Sequence, residues 1–513
     1  MKSDDKSYHT RTPEWKRAFG KKLENILGKG GVVSSGDELI AYDADALTGM
    51  RIIPMFVVLP KSAAEVSAVL RLCYEEEVPF VPRGAGTGLS GGALPTEEGV
   101  VISLSRMNRI LEVDIPNERV VVEPGVVNIN VTKAVSPYGY YYAPDPSSQV
   151  ACTIGGNVAE NSGGVHCLKY GVTTNHVLGL EVVLPGGEII ETGGKTLDRP
   201  GYDITGLVVG SEGLLGIVTK VVLRIVRKPE TVKTFLAAFN RIEDAGAAVS
   251  GITARGVIPA GLEIMDNLCI RSVEEAVHAG YPVDARSILL VELDRPAAGV
   301  EAEMPIVEEV LKENNATLIK MAKDAHERDL FWKGRKNAFP AMGRVSSHYY
   351  VQDGVIPRSR LAEVLGKVED LSREYGLKVA NVFHAGDGNL HPLVLYSAAN
   401  EGEPELAHEL AGKILRACVD AGGSITGEHG VGNDKKIYMG EMFAENDLDA
   451  MNVVRCSFDP KGLSNPGKVF PTPRTCVEQG HKHYTEHPLQ RRAWGRCSDP
   501  AGIRFEFLPI AMY

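Results

Sequence analysis

Two short segments in the carboxyl-terminal half carry residue types that could form a catalytic centre. In residues 381–395, NVFHAGDGNLHPLVL, the pattern predicts strand, Gly-Asp-Gly turn and strand, which would place His384 and His391 on facing strands about 5 Å apart. Further along, SITGEHGVG presents Glu428 and His429 among glycines. Two histidines and a carboxylate with an open position are a common catalytic metal set, which would leave His429 as a base near neutral pH. Core packing or a chance surface pair is the alternative for the two histidines, and the tight turn favours a site.

A cluster of basic side chains precedes these segments. Residues 326–340, HERDLFWKGRKNAFP, should be helical up to Pro340 and should present Lys333, Arg335 and Lys336 within an acidic protein. The planar fork of arginine binds a carboxylate through two parallel hydrogen bonds, so Arg335 is the candidate substrate clamp. A solvated helix face is the alternative.

A glycine-rich segment in the amino-terminal half predicts a phosphate site. Residues 82–93, PRGAGTGLSGGA, lie between two predicted strands, and glycine allows backbone N–H groups to converge on one phosphate or pyrophosphate. The segment formally contains G-x-G-x-x-G, but it runs into Pro95 and a strand rather than a helix, which argues against nicotinamide-type binding. Ala93 stands where a P-loop requires lysine. A flexible surface turn is the remaining alternative.

Two further glycine-rich segments follow. Residues 140–164 have little apolar periodicity, which predicts a long loop that forms a second wall of the same site, or an ordered loop without a ligand. Residues 206–226, GLVVGSEGLLGIVTKVVLRIV, predict strand, glycine turn and strand. These patterns indicate one α+β domain ending near Arg227. From about Pro229 strands alternate with helices, which predicts a split β-α-β sheet typical of a substrate or cap domain.

Composition narrows the class of protein. The chain has 513 residues, 44% of them hydrophobic, and a formal net charge of −11, which fits several globular domains and argues against nucleic-acid binding. The amino terminus lacks the apolar core of a signal peptide, and no apolar run approaches the roughly 18 residues of a membrane span. The eight cysteines include no C-x-x-C pair, which favours a reducing cytoplasm and argues against an iron–sulfur cluster in this chain.

The three glycine-rich motifs, PRGAGTGLSGGA, PDPSSQVACTIGGNVAENSGG and GSEGLLGIVTKV, resemble the FAD domain of vanillyl-alcohol-oxidase-type flavoproteins, also called the PCMH type. The resemblance implies that the first motif holds the FAD pyrophosphate and that the other two contact the rest of the cofactor. The FAD-binding residues that it implies are Arg83, Gly84, Gly86, Thr87, Gly88, Ser90, Ser147, Ser148, Gly155, Gly156, Asn157, Asn161, Gly163, Gly164, Glu212 and Ile217.

The motifs HAGDGNLHP, GEHGVG and SNPGKVFP resemble the FAD-linked 2-hydroxy-acid dehydrogenases, which act on acids such as glycolate, D-lactate and D-2-hydroxyglutarate. Within that family, FWKGRKNAFPAMGRVSSHYYVQDGVIPR and AGYPVDA are most similar to the flavin D subunits of bacterial glycolate oxidase. The residues that this resemblance implies are the ligands of a divalent metal, usually zinc, at His384, His391 and Glu428, the base His429, the substrate-binding Arg335 and the flavin-proximal Asn465.

The expected function follows from the same resemblance. It is FAD-dependent oxidation of glycolate to glyoxylate by hydride transfer to the flavin. D-lactate or D-2-hydroxyglutarate oxidation is an alternative, and a non-catalytic flavin-binding structural subunit is the alternative from another class. The expected partners are a second flavin-type subunit and an iron–sulfur subunit, with no nucleic acid. The expected location is the cytoplasm, peripheral on the cytoplasmic face of the inner membrane through that complex.

The expected fold class is α+β: a PCMH-type FAD-binding domain, a ferredoxin-like α/β substrate (cap) domain and a C-terminal helical segment. Three histidines near the end, His481, His483 and His487, are expected to be solvated rather than to bind metal. The expected division is an amino-terminal helical extension at 1–50, the FAD-binding domain at 51–228, the cap domain with the metal site at 229–425, a segment returning to the flavin at 426–474 and a tail at 475–513.

Overall fold

A computed structural model of the chain describes residues 11–47, 49–196 and 201–471. The predicted tail at 475–513, with its three histidines, lies outside these residues. The division of the chain into five segments stays a prediction. The amino-terminal part contains, in chain order, α1 (Pro13–Leu27), β1 (Val32–Val33), α2 (Gly36–Leu39), β2 (Phe56–Val58), α3 (Ala63–Glu75), β3 (Phe80–Arg83), β4 (Val100–Ser103), β5 (Ile110–Asp114), β6 (Arg119–Val122), α4 (Asn128–Val135), β7 (Tyr140–Tyr141), α5 (Ile154–Glu160), α6 (Cys167–Tyr170), β8 (Val177–Val183), β9 (Ile189–Gly193), α7 (Ile204–Val208), β10 (Ile217–Arg224) and β11 (Val226–Arg227).

The first sheet is a small β-α-β arrangement in the order β1-β2-β4-β3, with β4 parallel to both β2 and β3. Helix α3 begins after Ser62, whose side chain accepts a hydrogen bond from the Glu65 backbone N–H and so caps the helix. The Glu65 carboxylate accepts from the Lys61 N–H at 2.6 Å rather than from Ser62, so the capping box is shifted by one residue. Helices α1 and α3 cover this sheet with buried side chains such as Phe19 and Leu70.

The second sheet is antiparallel, in the order β5-β6-β10-β8-β9. A Pro-Gly-Gly turn at residues 185–187 joins β8 to β9 as a hairpin, and Gly187 adopts a φ of 92°, which favours glycine. Gly213, in the glycine turn before β10, packs against Pro82 of β3. The first and third glycine-rich segments therefore lie side by side.

The carboxyl-terminal part forms a larger sheet of strands β12–β20. Strands β12 to β15 pair antiparallel in the spatial order β15-β12-β14-β13, which is the ferredoxin-like order, and β18 pairs with the free edge of β13. Its elements are β12 (Thr231–Phe239), α8 (Ile242–Ala254), β13 (Gly261–Asp266), α9 (Asn267–Val277), β14 (Ser287–Arg295), α10 (Ala297–Glu313), β15 (Leu318–Met321), α11 (Ala325–Lys336), α12 (Ala338–Met342), β16 (His348–Val351), β17 (Gly354–Val355), α13 (Leu361–Tyr375), β18 (Val379–His384), β19 (Asn389–Leu390), β20 (Pro392–Tyr396), α14 (Glu403–Asp420), α15 (Met439–Met442) and α16 (Glu445–Phe458).

Helices cover both faces of this sheet. Phe235 and Phe239 of β12 pack with α8, α10, α13 and α14, whereas Leu236 of the same strand packs with α9, α11 and α12. After α16 the chain returns to the first sheet, where the Asn465 N–H donates to the Phe80 carbonyl at 2.8 Å. The segment after α16 is thus joined to β3 by backbone pairing.

Three local predictions are wrong. The run GLVVG was expected as a strand, but most of it lies in α7, which Asp203 caps by accepting from the Gly206 N–H. The segment at 140–164 was expected without regular structure, but it contains α5. The single helix expected up to Pro340 is two helices, α11 and α12, and α12 continues past that proline.

Candidate active site

One cleft collects most of the predicted site residues. It has a volume of 360 Å³, within the range of about 300–1,000 Å³ typical of small-molecule sites. The glycine-rich loops of the amino-terminal part form one side of it, and α11, α12 and the loop after α14 form the other. The predicted residues that line it are Arg83, Gly84, Gly86, Thr87, Gly88, Ser147, Ser148, Gly155, Gly156, Asn157, Glu212, Ile217, Arg335, His391, Glu428 and His429.

Two predicted FAD-binding residues are not among those that line the cleft, and their side chains hydrogen-bond to the loops around it. Ser90 Oγ donates a hydrogen bond of 2.9 Å to the carbonyl of His429. Asn465 Nδ2 donates to the carbonyls of Gly92 at 2.9 Å and Glu212 at 2.7 Å. Both side chains thus join the cofactor-side loops to the carboxyl-terminal segments.

Three more predicted residues lie beside the cleft rather than on its wall. Asn161 Oδ1 accepts from the Thr174 N–H at 2.8 Å. A Cβ at Gly163 would lie 2.8 Å from Glu428 Oε2, so only glycine lets the backbone approach that carboxylate. Gly164 has a φ of 144°, which also favours glycine. These residues shape the wall without facing the cleft.

The backbone of the first glycine-rich loop offers donors to an anion. Within the part of the chain that the structure describes, the N–H groups from Ala85 to Gly91 donate no hydrogen bond to protein. On the facing wall, Thr153 Oγ1 is buried without a partner. Backbone N–H groups that make no bond to protein are free to bind an anion, and together with the unpartnered Thr153 hydroxyl they fit the diphosphate of a dinucleotide cofactor.

The three predicted metal ligands lie close together, with both histidines directed at one oxygen of Glu428. Glu428 Oε1 lies 3.2 Å from His384 Nε2 and 3.3 Å from His391 Nε2. The expectation that both histidines lie on strands is wrong for His391, which lies between β19 and β20, whereas His384 ends β18 and pairs with Asn389. Their ring centroids are nevertheless 5.0 Å apart. The second oxygen of Glu428 is buried without a hydrogen-bond partner, so the cluster fits a cation.

His429 lies beside this cluster. Its ring stacks on His391, with centroids 4.8 Å apart and planes at 12°. Its Nε2 is 3.8 Å from Glu428 Oε1 and its Nδ1 is 3.9 Å from Asp353 Oδ2, too far for hydrogen bonds. Burial lowers the pKa of His429 to about 4, so its imidazole is neutral near pH 7.

Asp353 anchors the loop that carries His429. It is fully buried between β16 and β17, and its carboxylate accepts from the N–H groups of Gly427 at 3.0 Å and His429 at 2.9 Å. It also accepts from the Thr426 hydroxyl at 2.6 Å and the Lys435 ammonium at 3.1 Å. Burial opposes ionisation, but interactions with His429 and Lys435 outweigh it and hold the pKa of Asp353 well below its usual range.

Arg335 connects the cleft to the sheet behind it. Its Nε donates a hydrogen bond of 2.6 Å to Glu263 Oε2, and the other oxygen of Glu263 lies 2.8 Å from His384 Nδ1. Arg335 Nη2 is buried without a partner, which leaves part of the guanidinium fork for a carboxylate. Of the two neighbouring lysines, Lys336 lines the cleft and Lys333 does not.

The charges of the cluster are strongly coupled. Burial disfavours a positive His384, but Glu263 and Glu428 outweigh burial and raise the pKa of His384 well above its usual value. Burial likewise disfavours a negative Glu428, but His384 and His391 hold the pKa of Glu428 well below its usual range. The fold thus keeps Glu428 anionic in a place where a cation can replace the proton.

Two buried carboxyl groups line the cleft beside the glycine-rich loop. Both oxygens of Glu212 accept backbone hydrogen bonds, from Val431 at 2.6 Å and Gly432 at 2.7 Å. Glu160 Oε2 is buried without a partner. Burial, and after it repulsion by Glu212, raises the pKa of Glu160 well above its usual value, which favours its neutral form.

Comparison with known proteins identifies the family. Residues 54–193 match the family described as FAD binding domain, and residues 228–469 match FAD linked oxidases, C-terminal domain. The chain is 50% identical over 460 residues to "Glycolate oxidase subunit GlcD" of Escherichia coli (strain K12), which covers 89% of this chain and 92% of that protein. This chain belongs to the FAD-linked oxidase family. The resemblance drawn from its motifs is confirmed, and its cofactor is FAD.

Two further relatives of this FAD-linked oxidase carry names for two different substrates. "Glycolate oxidase subunit GlcD" of Bacillus subtilis (strain 168) is 40% identical over 450 residues, covering 88% of this chain and 96% of that protein. "D-lactate dehydrogenase" of Archaeoglobus fulgidus is 36% identical over 419 residues, covering 80% of this chain and 90% of that protein.

Solved structures agree on the fold. p-Cresol methylhydroxylase has a TM-score of 0.76 at 17% identity, covering 90% of this chain and 98% of that chain. 4-Ethylphenol oxidase from Gulosibacter chungangensis has a TM-score of 0.75 at 18% identity, covering 90% and 99%. The expected PCMH-type α+β fold of this FAD-linked oxidase is confirmed. Among the described residues, no helix has the length and apolar character needed to cross a membrane.

Sequence reasoning did not single out three carboxylates of this FAD-linked oxidase: Asp353, Glu263 and Glu160. Two of them carried a usable signal, because Glu263 interrupts the apolar strand GLEIMD and Asp353 interrupts the strand pattern YYVQDGVI. A carboxylate in a buried strand requires a partner, so each implied a nearby cation or a set of donors. Glu160 stands in a glycine-rich motif whose polar residues gave no such contrast.

Proposed function

We propose that this FAD-linked oxidase converts glycolate to glyoxylate. The observation that carries the proposal is that Arg335, Glu428 and His429 line the same cleft as the glycine-rich loop. A carboxylate clamp, an anionic metal ligand and a neutral base therefore surround the space next to the cofactor-binding wall. The 50% identity to a glycolate oxidase subunit supports glycolate as the substrate.

The amino-terminal loops hold the cofactor. FAD, when bound, supplies the acceptor for the hydride that leaves C2 of the substrate. The backbone N–H groups of the glycine-rich loop and the hydroxyl of Thr153 bind the diphosphate. Asn465 and Ser90 act indirectly, because their hydrogen bonds fix the loops around the cofactor.

His384, His391 and Glu428 hold a divalent cation, and zinc suits two imidazoles with one carboxylate. When bound, the cation supplies a Lewis acid that lowers the pKa of the substrate hydroxyl. The buried second oxygen of Glu428 supports this assignment, since an unpaired carboxylate oxygen is costly without a positive partner.

Arg335 and His429 act on the substrate. The Nη2 side of the Arg335 guanidinium binds the carboxylate and thereby orients the α-hydroxyl. Nε2 of His429, on the Glu428 side of the ring, accepts the hydroxyl proton. Stacking on His391 and anchoring of the His429 backbone by Asp353 hold the ring in place, and neither contact occupies Nε2.

D-lactate is the second candidate substrate, because the Archaeoglobus fulgidus relative carries that name. Phe339 favours the smaller acid, since its ring lines the cleft and packs edge-on against His391 with centroids 5.9 Å apart. A non-catalytic structural subunit would not need the buried, unpartnered nitrogen of Arg335 beside a cation cluster. We therefore propose a catalytic rather than a structural role for this chain.

Anaerobic mixing of the FAD-loaded chain with glycolate, D-lactate and D-2-hydroxyglutarate tests the proposal by loss of oxidised-flavin absorbance. Glycolate should bleach the flavin fastest. Faster bleaching by a larger acid would keep the reaction and replace the substrate. A flavin that none of the three acids bleaches would contradict the catalytic proposal.

We also propose that the electrons leave through partner subunits, a second flavin-type subunit and an iron–sulfur subunit, at the cytoplasmic face of the inner membrane. The relatives in Escherichia coli and Bacillus subtilis are named as subunits, which supports a complex. Full quinone-linked activity of the chain purified alone would contradict this part of the proposal.

A further inference from the structure

We infer that Glu263 is a positioning residue that joins the metal cluster to the carboxylate clamp. The inference rests on the proposed function, because it concerns how two of its groups are held. It assigns a role to a side chain on β13, more than one hundred residues before the two histidines of the cluster.

Glu263 contacts one histidine of the metal cluster and the arginine that forms the carboxylate clamp. In the sheet it pairs directly with His384 of β18, so both side chains lie on the same face. Its Oε1 is 2.8 Å from His384 Nδ1, and its Oε2 accepts from Arg335 Nε at 2.6 Å. The Glu263 side chain is fully buried, and the residues Arg335 and His384 are almost fully buried.

The bond to His384 selects the state of the imidazole. An Nδ1–H that donates to Glu263 leaves the lone pair on Nε2, the nitrogen that lies 3.2 Å from Glu428 Oε1. A carboxylate behind a histidine ligand also makes that ligand more basic and fixes its ring, and loss of such a partner typically costs about 10–100-fold in metal affinity.

The bond to Arg335 selects which part of the guanidinium is used. Glu263 occupies Nε, whereas Nη2 is buried without a partner, and Arg335 lines the cleft. Without Glu263, Nε would be a buried, unpaired donor on a charged group, and the fork would turn to satisfy it. One carboxylate therefore sets the orientation of both the metal ligand and the substrate clamp.

The test compares Glu263→Gln with wild type in the full-length, FAD-loaded chain. The amide keeps the size of the side chain but loses the charge and one of the two acceptors. Zinc affinity, measured by competition with a chromophoric chelator, should fall by about 10–100-fold. At saturating zinc, KM for glycolate should rise more than kcat falls, since the clamp is misoriented while the base is untouched.

Glu292→Gln is the matched control. Glu292 is a buried carboxylate on the neighbouring strand β14, and it accepts from Trp332 Nε1 at 2.6 Å and Thr234 Oγ1 at 2.7 Å. Its third partner is His166 Nε2 at 3.4 Å, and no hydrogen bond or ion pair joins it to Arg335 or to a ligand of the cluster. The control should lower Tm but leave the zinc Kd and the KM near wild type, which separates positioning from general destabilisation.

An unchanged zinc Kd and KM in Glu263→Gln would overturn the inference. If that variant does not fold, Glu263→Asp decides, because it keeps the charge but is one methylene too short to reach both partners. Wild-type values for a folded Glu263→Asp would likewise overturn it. A wild-type chain that binds no zinc overturns the inference together with the metal assignment, whereas failure of the catalytic proposal is read separately from flavin bleaching.

Discussion

Replacing His429 by asparagine should separate catalysis from folding, because hydrogen bonds of the backbone hold this residue in place. Its N–H donates to Asp353 at 2.9 Å and its carbonyl accepts from Ser90 Oγ at 2.9 Å, and both bonds survive the substitution. The ring nitrogens lie 3.8 and 3.9 Å from the nearest carboxylates, so no side-chain hydrogen bond is lost. The main loss is stacking on His391, worth about 0.5–1.5 kcal/mol beyond area burial.

The effect on the rate should be much larger. A positioned general base contributes typically about 10²–10⁴-fold, which corresponds to roughly 3–5 kcal/mol of activation free energy. Because burial holds the pKa of His429 at about 4, the wild-type base is unprotonated throughout pH 6–8. A cation at the neighbouring cluster would lower that pKa further, so His429 is expected to be unprotonated with or without the metal. Protonation of His429 should therefore not lower the wild-type rate of flavin reduction between pH 8 and pH 6.

Anaerobic stopped-flow measurement of flavin bleaching provides the assay. His429→Asn should retain FAD and a near-wild-type Tm while flavin reduction by glycolate slows by about 10²–10⁴-fold. His408→Asn is a suitable control, because His408 is exposed on α14 and packs on Tyr350 away from the cleft. Wild-type flavin reduction in His429→Asn would refute the assignment of the base. Loss of FAD would instead show that the ring is structural.

Four further expectations follow from the same contacts. Arg335→Lys keeps the charge beside Glu263 but loses the fork, so KM for glycolate should rise roughly 10- to 100-fold, the equivalent of one charge-assisted hydrogen bond, and an unchanged KM in steady-state assays would argue against the clamp. Asp353→Asn leaves Lys435 as an unpaired buried charge, so urea unfolding should show a loss of about 3–5 kcal/mol, and an unchanged midpoint would contradict the anchoring role. The raised pKa of Glu160 means that the folded apoprotein holds a proton that the unfolded chain releases above its ordinary pKa, so its stability should fall as pH rises. Glu160→Gln should remove that loss and be more stable than wild type in urea unfolding at pH 8, and equal stability of the two would show that the pKa of Glu160 is not raised in the folded protein. Chelation of the divalent metal should stop bleaching by glycolate while the oxidised-flavin spectrum persists, whereas undiminished bleaching in metal-free enzyme would rule out a catalytic cation.

Local pattern was enough to predict many of the elements. Helix α1 (Pro13–Leu27) falls within the stretch expected to be a helical extension, and the Thr12 cap and the proline at its start agree with its apolar spacing. The strand-helix alternation after Pro229 was equally clear, since it depends on short-range periodicity.

Elements with weak local preference were missed. Helix α5, IGGNVAE, contains two adjacent glycines and has little propensity of its own, but Ile154 and Val158 are fully buried against the second sheet. Helix α7 contains a short apolar run that also suits a strand, and the Asp203 cap decides the outcome. Packing and capping overrode the pattern in both cases.

By itself, the sequence determined the kinds of chemistry available to this protein: loops that can surround a phosphate, a histidine and glutamate set that can hold a cation, and an arginine that can bind a carboxylate. The tertiary structure alone decided that these groups share one cleft and that Glu263 and Asp353 support them. The physical reason is that periodicity encodes which face of a strand is buried but not which strand lies next to it. The pairing of β13 with β18, which brings Glu263 to His384 across 121 residues of chain, is a property of the folded sheet.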